Sequence, residues 1–127
     1  MNVVDSSAWL EYFSGGSNAS KFARPIERVR ELIVPTVSIL EVFKKVMGQV
    51  GEEPALQVVA VMQQGTVVEL DLATSLASAK LSLELKLPMA DSIMLATARN
   101  HNAVLWTQDS DFKGIKGVKY FGKSKQG

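Results

Sequence analysis

Val104-Leu105-Trp106-Thr107-Gln108-Asp109-Ser110-Asp111-Phe112 sets three apolar residues directly before an acidic turn. The apolar part has strand length and holds β-branched and aromatic side chains with no polar alternation. That is the pattern of a parallel strand covered on both faces. Such a strand needs neighbours, and four further runs qualify: Asn2-Val3-Val4, Leu32-Ile33-Val34, Val67-Val68-Glu69-Leu70 and Val118-Lys119-Tyr120-Phe121. Helical spacing fills the gaps. Trp9, Leu10 and Phe13 share a face, and Ile39, Leu40, Phe43 and Met47 follow the start signals Thr36 and Ser38. Pro25 reads as a first helical position before Ile26, Val29 and Arg30. Glu52-Glu53-Pro54 opens another helix, and Leu76 to Leu87 and Ile93 to Ala98 give two more. Strands alternating with helical crossovers predict an α/β domain with a mainly parallel sheet flanked by helices.

Composition agrees. A chain of 127 residues, 46% of them hydrophobic, predicts a single domain with a sizeable core. The domain is expected over residues 1–122, with a flexible basic tail at 123–127. No cysteine is present, which excludes disulfides and thiolate metal ligands. No apolar run approaches the ~18 residues of a membrane span, and the first residues lack a signal peptide's basic and apolar regions. A cytoplasmic location and no membrane partner are therefore expected. Trp9, Trp106, Met89 and Met94 are assigned to the core, and His101, the single histidine, to a helix end at the surface.

In an open parallel sheet, ligands bind beyond the carboxyl ends of the strands. Asp5 follows the first apolar run and Asp109 the fourth. Glu41 falls in the early turns of the helix after the second, and Asp91 opens the helix that leads into the fourth. Four acids from distant stretches thus reach one rim. Clustered carboxylates resist joint ionisation, so they persist as anions only beside a cation. With oxygen donors and no thiolate, the expected ion is Mg²⁺, with Mn²⁺ as a substitute. The matching chemistry is phosphoester hydrolysis by in-line displacement. Net charge is +1, and setting those four acids aside leaves the rest of the chain at +5. Lys113, Lys116, Lys119, Lys123 and Lys125 supply much of the excess, as suits a phosphate-backbone substrate.

Each acid also has a plainer reading. Asp5 can cap the following helix. Ser38-Ile39-Leu40-Glu41 spells a capping box. A helix dipole favours Asp91 near its start, and Asp109-Ser110-Asp111 can be a turn. These explain the acids singly but not their shared rim.

Four segments together resemble PIN-domain nucleases, in particular VapC-type toxins. They are Asp5-Ser6-Ser7, Pro35-Thr36-Val37-Ser38-Ile39-Leu40-Glu41-Val42, Leu87-Pro88-Met89-Ala90-Asp91-Ser92-Ile93 and Leu105-Trp106-Thr107-Gln108-Asp109-Ser110-Asp111-Phe112. The resemblance extends to about Tyr120. It implies a three-layer PIN-like domain and a metal-dependent endoribonuclease, the toxin of a toxin–antitoxin pair. It implies Asp5, Glu41, Asp91 and Asp109 as metal-binding catalytic acids, with Asp111 auxiliary and Ser6, Ser7 and Thr107 bracing the carboxylates. It also implies an RNA substrate, a homodimer and a small VapB-like antitoxin. Lys113 and Lys116 are the candidates for holding RNA phosphates.

Other classes fit less well. A phosphatase of the HAD type needs Asp-x-Asp directly after the first strand, where this chain has Asp5-Ser6-Ser7. A receiver domain needs a phosphoacceptor after the middle strand, and Glu69-Leu70-Asp71 offers little of that kind. A housekeeping RNA-processing nuclease and a scaffold that binds RNA without cutting remain open alternatives.

Overall fold

Each of the five apolar runs becomes a strand in the computed structural model, which describes residues 1–123. The strands are β1 (Asn2–Val4), β2 (Leu32–Pro35), β3 (Thr66–Val68), β4 (Val104–Thr107) and β5 (Val118–Tyr120). They form one sheet in the order β3-β2-β1-β4-β5. All four pairings are parallel, with Val3 beside Ile33 and Leu105, and Val4 beside Trp106. The tail expected at residues 123–127 lies outside the described residues apart from Lys123.

Side-chain alternation along these short strands builds two cores. Val3, Ile33 and Leu105 face Met94, Leu95 and Ala98 of α6 (Met89–Asn100), together with Leu87 and Phe112. Val4, Val34 and Trp106 face the other way. There they meet Ala8 and Trp9 of α1 (Ser6–Ser14) and Phe22 and Ile26 of α2 (Ala19–Ile26). Val42 of α3 (Thr36–Val50) and Met62 of α4 (Glu52–Met62) complete that layer. Burial on both faces is the physical reason that the central runs lack polar alternation. The outcome is the expected α/β architecture of helix, sheet and helix. Among the described residues, no helix is long and apolar enough to cross a membrane.

Three local expectations need correction. Pro25 does not open a helix; it sits in the last turn of α2, and Val29–Glu31 is a short 3-10 turn. The helix begins after Asn18, and burial of Phe22, Pro25 and Ile26 outweighs the one backbone bond that a proline forfeits. The fifth helix, α5 (Leu72–Leu85), begins four residues earlier than expected, because Asp71 caps it by accepting the Thr74 N–H at 2.8 Å. Its leucine stripe is not core: Leu72, Leu76 and Leu83 are 76%, 59% and 83% exposed, while small Thr74 and Ser78 face inward. Met89 is likewise exposed, whereas Met94, Trp9 and Trp106 are buried as expected.

Gly65 lets β3 close on β2. A Cβ there would lie 2.9 Å from the Leu32 carbonyl oxygen and 2.9 Å from a Val34 methyl. Backbone in a sheet cannot retreat without breaking its ladder. Gly65→Ala is therefore expected to destabilise the fold by about 1–3 kcal/mol, read as a lower urea midpoint. An unchanged midpoint would show that this edge strand yields freely.

Candidate metal centre

Parallel strands align their carboxyl ends, and that alignment assembles the acids. The Asp5 N–H donates to the Trp106 carbonyl at 2.9 Å, which extends the β1–β4 ladder by one residue and fixes Asp5 at the rim. Asp5 keeps an extended backbone (φ −67°, ψ 157°) directly before α1, yet its side chain caps nothing. Asp109 leaves β4 after Gln108, and Asp91 lies in the first turn of α6. One carboxylate oxygen from each of Asp5, Asp91 and Asp109 lies within 4.8 Å of the others.

Two hydroxyls hold Asp5. Ser7 Oγ donates to its Oδ2 at 2.8 Å and Thr107 Oγ1 donates to the same oxygen at 3.0 Å. Each hydroxyl also accepts a backbone N–H: Ser7 from Gln108 at 3.4 Å, and Thr107 from Asp109 at 2.9 Å. The bracing foreseen for Ser7 and Thr107 is thus present as hydrogen bonds. Ser6 serves a different acid. Its Oγ donates to Glu41 Oε1 at 2.7 Å, which ties Glu41 to the residue after Asp5, while the three acids whose oxygens converge are Asp5, Asp91 and Asp109. The capping-box reading of Glu41 does not hold. Ser38 is the third residue of α3 and donates to the Pro35 carbonyl at 2.7 Å. For Asp109 the two readings coexist: its Oδ1 accepts the Asp111 N–H at 3.0 Å, an Asx turn that orients the carboxylate. The Asp111 side chain is exposed.

The electrostatics are those of crowded, dehydrated anions. Burial pushes the Asp5 carboxyl above its ordinary value; the Ser7 and Thr107 hydroxyls oppose this, and the charge of Asp109 adds to it. Asp91, half-buried, is raised to about 7, first by burial and then by Asp5, Asp109, Asp111 and Glu41. The four charges that raise Asp91 are all carboxylates. The donors that this set offers are carboxylate oxygens. Such a donor set fits a hard divalent cation.

The lysines divide. Lys113 is exposed directly after the turn that holds Asp109. Lys116 lies beside Asn102, Ala103 and Gly117, at the amino ends of β4 and β5 and so across the sheet from the acids. A groove of about 570 Å³ runs between α1 and the α3–α4 pair, with Leu10 and Phe13 in its wall and Ser7 and Gln108 at its acid end. Lys45 and Lys123 line it. Gln108 carries no charge pattern that would single it out in the sequence, because it is a neutral amide.

Known proteins share this fold. A toxin–antitoxin complex from Klebsiella pneumoniae contains a chain of the same fold, at TM-score 0.82 and 22% identity, with 96% of this chain and 99% of that one aligned. A sarcin-ricin loop cleaving VapC toxin of Mycobacterium tuberculosis aligns at TM-score 0.74 and 14% identity, over 91% and 95% of the two chains. DNA-bound VapBC from Salmonella typhimurium aligns at TM-score 0.73 and 14% identity, over 96% and 98%. At such identities these likenesses speak to the fold. No curated protein sequence matches. The family model described as PIN domain matches residues 3–118, from the first strand through the acid cluster to the last strand. This chain belongs to the PIN-domain family.

Proposed function

We propose that the protein is a divalent-metal-dependent endoribonuclease and the toxin of a toxin–antitoxin pair. The observation that carries this reading is the convergence of Asp5, Asp91 and Asp109 within 4.8 Å. Asp5, Asp91, Asp109 and Glu41 would hold Mg²⁺, or Mn²⁺ in its place. The chemistry that such a cation would supply there is activation of a water and neutralisation of charge on the scissile phosphate. The chain's own groups do the rest. Ser7 and Thr107 keep Asp5 aimed at the site, Ser6 keeps Glu41 there, and the Asx turn fixes Asp109. Lys45, Lys113 and Lys123 offer salt-sensitive contacts to flanking phosphates. Lys116 is left out, because it lies across the sheet.

Structural neighbours found in complexes with antitoxins support a small antitoxin as partner. The exposed α5 stripe of Leu72, Leu76 and Leu83 supports a homodimer. A monomeric mass by light scattering at micromolar concentration would remove that last element.

Incubation of the purified protein with a mixed RNA pool tests the activity. Cleavage is expected in Mg²⁺ or Mn²⁺ and none in EDTA. Metal binding without cleavage of the pool would point to a narrow, folded target. Cleavage in EDTA would sink the metal assignment.

A further inference from the structure

Beyond the acids, a closed ring of hydrogen bonds ties three distant stretches together beside the site. Glu11 of α1 accepts the Asn18 N–H on Oε2 at 2.9 Å. Asn18 Nδ2 donates to Gln108 Oε1 at 3.1 Å, and Gln108 Nε2 donates to Glu11 Oε1 at 3.4 Å. Asn18 precedes α2, but its side chain makes no cap there. It reaches across the molecule instead and also donates to the Gly122 carbonyl at 3.1 Å. Asn18 and Gln108 are 3% and 7% exposed. A buried amide held on both ends has little freedom, and Gln108 is the residue between Thr107 and Asp109.

We propose that Glu11, Asn18 and Gln108 are positioning residues that set the loop leaving β4, and with it Asp109, at the distance from Asp5 and Asp91 that a metal requires. Two links transmit the effect. The Gln108 peptide carries Asp109 directly, and the Gln108 N–H reaches Ser7 Oγ, whose own proton goes to Asp5. The clamp on Gly122 adds the segment that follows β5, where the Phe121 N–H donates to the Thr107 carbonyl at 2.9 Å. The inference rests on the metal-dependent reading above.

The chemistry of the ring supplies its own test. Exchanging the two partners, Glu11→Gln with Gln108→Glu, leaves net charge unchanged and keeps three hydrogen bonds in the ring, the one between positions 11 and 108 running in the opposite direction. Gln108→Ala removes two of its bonds. Mn²⁺ affinity, read from the electron paramagnetic resonance of free Mn²⁺, is expected to fall about 10-fold in Gln108→Ala, the lower end of the range for residues that orient metal ligands. The exchanged pair is expected to stay within about 2-fold of wild type. Excess Mn²⁺ is expected to restore kcat in Gln108→Ala, because positioning alters metal capture rather than the step that follows it. Folded Gln108→Ala with wild-type affinity would overturn the proposal and leave the metal reading intact. So would an exchanged pair that folds yet binds 10-fold more weakly, which settles the matter even if Gln108→Ala does not fold. Absence of Mn²⁺ binding by the wild type would overturn the metal reading itself, and this inference with it.

Discussion

Asp91→Asn is expected to reduce metal-dependent RNA cleavage by about 10²–10³-fold, the scale of losing one preorganised charge at the reacting centre, while stabilising the metal-free protein at pH 8. Both effects come from one cause. The Asp91 carboxyl is raised from 3.8 to about 7 by burial and by four neighbouring acids. Between those values the folded chain holds a proton that the unfolded chain has released. Stability in EDTA therefore falls as pH rises from about 4 to about 7, and it levels off above that window. Asp5, also raised, adds to the slope in the same direction. Asparagine cannot titrate and carries no charge, so the variant should show a shallower slope and a higher Tm than wild type at pH 8 in EDTA. Mg²⁺ should raise the wild-type Tm more at pH 8 than at pH 5, because the cation binds the ionised cluster. Melting curves at pH 5, 6, 7 and 8, with and without Mg²⁺, decide this. A wild-type Tm that climbs with pH in EDTA would mean that the cluster is not frustrated and that its acids serve another purpose.

The parts of this architecture that the sequence exposed are those set by periodicity and chain order. Val3-Val4, Ile33-Val34 and Leu105-Trp106 read as covered parallel strands because both faces of the sheet are buried, a condition that removes polar alternation and so leaves a mark. Once the strands were placed, the rule for carboxyl ends found Asp5 and Asp109 without further help. What escaped was set by tertiary partners. The leucines of α5 repeat with helical spacing whether they face the sheet or solvent, and only the packing of Thr74 and Ser78 shows that they face solvent. Ser38 and Glu41 match a capping box in spacing, but α3 begins two residues before Ser38, and Ser6, 35 residues upstream, claims Glu41. Lys116 lies two residues before β5, and in a parallel sheet the start of a strand is the wrong rim for this site. The ring of Glu11, Asn18 and Gln108 joins residues 7, 90 and 97 positions apart, a pairing that no local pattern encodes.

A single hydroxyl carries the second large effect. Thr107 is fully buried, and its Oγ1 donates to Asp5 Oδ2 while accepting the Asp109 N–H. Thr107→Val keeps the shape and deletes both bonds. Asp5 then loses one of its two hydroxyl donors and Asp109 its backbone anchor, so two of the three clustered acids drift at once. Mn²⁺ affinity is expected to fall 10–100-fold, with about 1–3 kcal/mol of stability lost to the unpaired N–H. Thr107→Ser retains the hydroxyl and gives up only a methyl group, and its affinity should return to within a few-fold of wild type. Ser7→Ala should cost less than Thr107→Val, since Thr107 still holds both acids when Ser7 is gone. That order, Val at 107 worst, Ala at 7 intermediate and Ser at 107 mildest, distinguishes bracing from packing. Packing alone would rank the isosteric valine as the mildest of the three, and a titration giving that ranking would show that the carboxylates hold their places without the hydroxyl.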